Sequence, residues 1–123
     1  MRIAEYSKQA AKTAIYPGKG SIKGLLYTLV GLSNEAGEAL GHAKKILRGD
    51  DSGKEDPALH DEWGFCSLTR KKKILAELGD VAWYWSMIIQ ELGADPETIL
   101  RENLKKLNGR QRAGTLKGDG DNR

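Results

Sequence analysis

Two short segments of the chain repeat one arrangement of acidic residues. Glu35 and Glu38 are separated by two residues ending in glycine, and Glu77 and Asp80 have the same spacing. Residues three apart on a helix lie next to each other on one face, so each segment presents two adjacent carboxylates. Like charges at this spacing destabilise a helix, and an internal glycine costs roughly 0.5–1 kcal/mol more.

A divalent cation bound between these carboxylates would offset their repulsion. Mg2+ prefers oxygen ligands in an octahedral arrangement and retains some of its water. Two antiparallel helices whose acidic pairs face each other can build such a site. The four carboxylates therefore predict a Mg2+ site, with Mn2+ as a substitute ion. The alternative is two solvated acidic pairs, because most exposed charges are simply hydrated.

Helices must position these carboxylates, and the apolar pattern predicts an all-α protein. Apolar residues recur at spacings of three, four and seven or eight, which is typical of helices that pack on one face. Asp95 followed by Pro96 is typical of a helix start. The predicted helices cover residues 3–14, 21–47, 69–92 and 96–108. They favour a four-helix-bundle type of fold formed by a single domain.

The remaining segments are predicted to be irregular. Residues 49–68 are rich in glycine, aspartate and serine, and loops this long are usually functional or mobile. Three glycines after position 113 predict a flexible tail over 113–123. A single cysteine, Cys66, excludes an intrachain disulfide and a zinc site built from several cysteines.

Composition narrows the class of partner and the compartment. The net charge of +3 is weak evidence for a polyanionic partner, although basic residues concentrate near the C-terminus. The apolar run over 81–89 is too short to cross a bilayer. Since the first residues do not resemble a signal peptide, we expect a cytoplasmic protein without a membrane partner.

The two acidic segments resemble the motif of the MazG family of nucleotide pyrophosphohydrolases. That all-α superfamily also contains dimeric dUTPases and phosphoribosyl-ATP pyrophosphatase. The family motif, E-E-x-x-E and then E-x-x-D, corresponds to NEAGE at 34–38 and ELGD at 77–80. The sequence segments ELGDVAWYW, NLKKL and GDGDNR also match the family pattern, in the same order. The resemblance therefore covers about residues 3 to 123. Asn34 replaces the first acid of the motif and brings no charge.

The resemblance implies hydrolysis of (deoxy)nucleoside triphosphates to monophosphate and pyrophosphate. The matched carboxylates would bind Mg2+, and a metal-activated water would attack the α–β phosphoanhydride. Glu35 or Glu38 is expected to be the general base, and Glu77 and Asp80 are expected to act as ligands. The family also implies a MazG-like fold assembled as a homodimer or as a dimer of dimers.

Substrate contacts are expected from three parts of the chain. The resemblance implies that Asn103 and Lys106 contact the substrate, and Arg110 shares their face of the fourth helix with a guanidinium suited to phosphate. Tyr84 shares a face with the second acidic pair, where it is expected to contact base or sugar. Arg123, in the closing word of the chain, is expected to fold over phosphate.

Two other functions stay open. One is phosphoribosyl-ATP pyrophosphatase, which belongs to the same superfamily. The other is a non-catalytic helical module that binds a nucleotide or a nucleic acid through the basic C-terminal region. The basic residues lack the interleaved aromatic residues on which bases stack. We therefore expect a nucleoside triphosphate substrate rather than a nucleic-acid partner.

Overall fold

The computed structural model describes residues 1–51 and 66–118, and all regular elements within these ranges are helical. Helix α1 covers Ile3–Ala10 and continues as a 3-10 turn over Ala11–Thr13. Helices α2, α3 and α4 cover Ile22–Leu47, Leu68–Glu91 and Pro96–Ala113. No strand occurs in the described part of the chain, so the prediction of an all-α protein is confirmed there.

The helix ends differ from the predicted ones by more than one residue at two places. The last turn of the first helix, predicted as α-helix up to residue 14, tightens into the 3-10 turn. Helix α4 continues to Ala113 and does not end at 108, because an asparagine–glycine pair weakens a helix without ending it. The end comes at Gly114, whose φ of 69° forms a left-handed cap. The predicted tail thus begins one residue later than expected, and 119–123 lie outside the described residues.

The starts of α3 and α4 are fixed by side-chain caps. The hydroxyl of Ser67 accepts a hydrogen bond from the backbone N–H of Arg70 at 3.0 Å. The carboxylate of Asp95 accepts from the N–H of Thr98 at 2.7 Å, which confirms the predicted start at Asp95 and Pro96. Each cap satisfies an N–H that has no partner within its own helix. Of the predicted connection over 49–68, residues 52–65 lie outside the described ranges.

Helices α2 and α3 form the main packed pair, and they are antiparallel. His42 contacts Arg70 near one end of the pair, and further along α2 an added Cβ on Gly31 would lie 2.1 Å from the ring of Tyr84. Toward the C-terminus of α3, from Arg70 to Tyr84, the facing residue on α2 moves toward the N-terminus, from His42 to Gly31. The two helices therefore run in opposite directions. Gly31 is needed here because any side chain would collide with the tyrosine ring.

The small core lies where α1 and the turn after it cover α3. Ala10, Tyr16 and Met87 are its buried members, and Trp83 packs against them. The indole N–H of Trp83 donates to the hydroxyl of Thr13 at 2.8 Å, so its polar atom is satisfied. This packing holds α3, which carries the second acidic pair, against the N-terminal part of the chain.

Helix α4 leaves much of its apolar surface uncovered in the single chain. Its main helix contact is with α1. Four of its apolar side chains are between 39% and 59% exposed: Ile99, Leu100, Leu104 and Leu107. An apolar row of this kind is typical of a surface that binds another protein. Within the described residues, no helix is both long enough and apolar enough to cross a bilayer.

Candidate metal centre

Three of the four predicted carboxylates converge between α2 and α3. Glu35 comes from α2, and Glu77 and Asp80 come from α3. Each contributes one oxygen, and these oxygens lie within 4.8 Å of one another. Glu35 and Glu77 are half-buried, whereas Asp80 is exposed. Two oxygens bound to one Mg2+ are about 3 to 4 Å apart, so a small side-chain movement would bring all three into ligand positions.

The fourth predicted carboxylate, Glu38, lies outside this cluster. Its side chain is exposed and accepts a hydrogen bond from Nδ2 of Asn34 at 2.9 Å. Both residues line an open cavity of about 490 Å3. Asn34, at the position of the first motif acid, therefore holds Glu38 by its amide. That Glu38 acts as a ligand or as a general base stays a prediction.

The two glycines within the acidic segments do not bring the helices together. A Cβ added at Gly37 or Gly79 would have no atom within 4 Å, since both face open space. The close approach of α2 and α3 is made at Gly31. The space next to Gly37 and Gly79 is compatible with a ligand near the carboxylates.

A series of polar side chains in contact with one another, here called the polar chain, leads from Glu77 through His42 and Arg70 to Asp51. Nε2 of His42 lies 3.4 Å from Oε1 of Glu77, and Nδ1 of His42 lies 3.1 Å from Nη1 of Arg70. Arg70 donates to both carboxylate oxygens of Asp51, at 2.9 and 2.7 Å. The Arg70 guanidinium lowers the pKa of the Asp51 carboxyl, chiefly through these hydrogen bonds.

Sequence reasoning did not identify this polar chain as part of the site. The only signal in the sequence is the seven-residue spacing that puts His42 on the same face of α2 as Glu35. Asp51 follows the end of α2 and Arg70 lies in the first turn of α3, and no local pattern joins them. Only the packing of α3 on α2 brings them to His42.

Two tyrosines lie beside the acidic cluster. Burial raises the pKa of Tyr84, and neighbouring Tyr27 and the charges of Glu35 and Asp80 raise it further. Burial likewise raises the pKa of Tyr6, with an added effect of Asp80. Both phenols therefore keep their protons at neutral pH and can donate hydrogen bonds. The position of Tyr84 near the carboxylates agrees with its spacing, but its contact with substrate stays a prediction.

The predicted substrate residues of α4 are placed differently from one another. Asn103 and Lys106 are exposed, whereas Arg110 is only 7% exposed. Arg110 is thus largely buried in the single chain, and its contact with phosphate stays a prediction. Within the described residues, the main helix contact of α4 is with α1, whereas the carboxylates lie on α2 and α3. Arg123 lies outside the described residues.

Comparison with other proteins gives a relative that aligns with the whole chain. No protein-family model matches the chain, and no solved structure matches it. The "Gene 37 protein" of Mycobacterium phage L5 is 39% identical over 126 residues, and the alignment covers 100% of both chains. Similarity of this level along the whole length shows common ancestry. The chain therefore belongs to the same family as the Gene 37 protein of Mycobacterium phage L5.

Proposed function

We propose that this protein is a cytoplasmic, Mg2+-dependent nucleoside triphosphate pyrophosphohydrolase with a MazG-like fold. The observation that carries the proposal is the convergence of Glu35, Glu77 and Asp80 from two helices. The reaction itself is inferred from the resemblance of the acidic segments to the MazG motif. The geometry of the three carboxylates supports the requirement of this reaction for a metal ion.

The three carboxylates provide what a phosphate-bound cation needs. Each offers a hard oxygen ligand, and together they carry three negative charges that a triphosphate would repel without a cation. When bound, Mg2+ neutralises phosphate charge and lowers the pKa of a coordinated water. Glu35, Glu77 and Asp80 would hold this ion beside the triphosphate, and hydrolysis there would yield a monophosphate and pyrophosphate.

The positions of the two glutamates on α2 indicate which is a metal ligand and which is the general base. Glu35 belongs to the ligand group, and Glu38 lies three residues further along the helix, beside the cavity. A base must be close to the attacking water and keep an oxygen that no metal occupies. We therefore assign Glu38 as the acceptor of the water proton and Glu35 as a ligand.

The remaining substrate contacts fit an assembly of more than one chain. Asn103 and Lys106 are exposed on α4, which also carries the uncovered apolar residues described above. If these apolar residues pack against a second copy, that copy supplies the amide and ammonium groups to the phosphates. This arrangement supports a homodimer or homotetramer. Tyr84 would then donate its phenol proton to base or sugar.

The experiment is a pyrophosphate-release assay on a panel of nucleoside and deoxynucleoside triphosphates, with Mg2+ or with EDTA. We expect release only with Mg2+, and a loss of more than about 100-fold in Glu35→Gln, Glu77→Gln and Asp80→Asn, because metal ligands supply several kcal/mol. Glu38→Gln should lower kcat while Mg2+ binding persists. Glu102→Gln on α4 is the matched control and should keep full activity.

Three outcomes would contradict the proposed function. Full activity in Asp80→Asn would remove the carboxylates from the mechanism. Hydrolysis of phosphoribosyl-ATP without activity on the panel would identify the related pyrophosphatase. Absence of hydrolysis, together with nucleic-acid binding that weakens as salt rises, would identify a non-catalytic module.

A further inference from the structure

We infer that His42 is a positioning residue that holds the Glu77 carboxylate in the acidic cluster, and that Arg70 and Asp51 fix the His42 ring for this task. The inference rests on the proposed metal site. It gives a supporting role to three residues that are not members of the acidic cluster.

The contacts of His42 define a single tautomer. A guanidinium can only donate hydrogen bonds, so Nδ1 of His42 must accept from Nη1 of Arg70, 3.1 Å away. The ring proton is then on Nε2, which donates to Oε1 of Glu77 across 3.4 Å. The histidine therefore offers Glu77 one N–H in a fixed direction.

Arg70 is itself held in place by two hydrogen bonds. Its Nε and Nη2 donate to the two oxygens of Asp51, a fork that fixes the plane of the guanidinium. Asp51 follows the end of α2 and also accepts from Ser67, the cap of α3, at 3.5 Å. The chain of contacts thus starts at the connected ends of both helices and runs inward to Glu77.

Burial makes these contacts effective. The side chains of His42 and Arg70 are each 12% exposed, and those of Glu77 and Asp51 are 18% and 20% exposed. Water competes weakly for such groups, so each hydrogen bond restricts its acceptor more than it would on an open surface. A glutamate has three rotatable bonds, and the N–H of His42 favours the rotamer that points into the cluster.

A purely structural role would tie α2 to α3 without affecting metal binding. The two roles are separated by substituting His42 in two ways. The side-chain amide introduced by His42→Gln can donate its N–H to Glu77 and accept from Arg70 through its carbonyl, whereas the side chain introduced by His42→Leu can do neither. Both variants keep a side chain of moderate size at this position.

The readout is Mn2+ affinity of the full chain, measured by calorimetry. We expect His42→Gln to stay close to wild type and His42→Leu to bind at least about 10-fold more weakly, as found for groups that orient metal ligands. Unchanged affinity in His42→Leu, or equal weakening in both variants, would overturn the inference. Absence of Mn2+ uptake by the wild type would overturn the proposed metal site as well. Uptake lost in Glu77→Gln but kept in His42→Leu would overturn this inference alone.

A second measurement uses the wild-type chain, with His60→Asn only to assign the signals, and does not depend on how the His42 variants fold. Long-range 1H–15N NMR reports which ring nitrogen carries the proton. The chain has two histidines, and the signals that disappear in His60→Asn identify the other one. We expect the Nε2–H tautomer for His42. A proton on Nδ1 would exclude the hydrogen bond from Arg70 and overturn the inference.

Discussion

Replacing Asp80 by asparagine should have opposite effects on stability with and without metal. The oxygens of Asp80, Glu35 and Glu77 lie within 4.8 Å of one another. Two charges at that distance repel by about 0.9 kcal/mol in water, and physiological salt reduces this to roughly 0.5 kcal/mol. Asp80 takes part in two such pairs. Asp80→Asn should therefore stabilise the metal-free protein by about 1 kcal/mol.

With metal bound, wild type should instead be more stable than Asp80→Asn. A cation at 100 times its Kd stabilises the folded state by about 2.7 kcal/mol, and Asp80→Asn would lose most of this gain. We expect the variant to melt about 3–5 °C above wild type in EDTA and below it in saturating Mg2+. Thermal unfolding at constant ionic strength measures both differences in melting temperature. Glu102→Gln, whose nearest cation on α4 is Lys105 at 3.9 Å, should change either value little.

The crossing of the two stabilities is the decisive result. If Asp80→Asn is less stable than wild type in EDTA, the carboxylates do not repel one another and need no cation. If Mg2+ stabilises wild type and variant equally, the ion binds elsewhere. Either result would refute the reasoning that connects the acidic cluster to a metal.

Two further predictions test the fold and the polar chain. Gly31→Ala should destabilise the fold by about 1–3 kcal/mol, because its Cβ would lie 2.1 Å from the Tyr84 ring. Gly37→Ala on the same helix meets only open space and should stabilise the fold by about 0.5–1 kcal/mol. Equal urea midpoints for the two variants would contradict the packing. Since Arg70 lowers the pKa of Asp51, this carboxylate stabilises the fold above its unfolded pKa of about 4, and that stability is lost as pH falls through the lower folded value. Asp51→Asn should therefore flatten the fall in stability below about pH 4, and urea unfolding curves that change with pH just as in wild type would contradict the ion pair.

Local patterns in the sequence predicted the helices well, because helix propensity, caps and apolar spacing act over a few residues. Asp95 and Pro96 marked the start of α4 correctly. The end of α4 was wrong, because Gly114 and not the earlier asparagine–glycine pair adopts the left-handed cap. Which glycine lets α2 approach α3 was also beyond local pattern, since it depends on the ring that lies opposite.

The spacing in the sequence determined that each acidic pair would share one helical face, since residues three apart are neighbours on any helix. It could not determine which member of a pair reaches the facing helix. The register of α2 on α3 decided that Glu35, and not Glu38, joins Glu77 and Asp80. Glu77 and Asp80 have the same spacing on α3 and both join the cluster, so the spacing around one helix does not decide which side chains converge. That choice belongs to the tertiary structure, because it depends on where the facing helix lies.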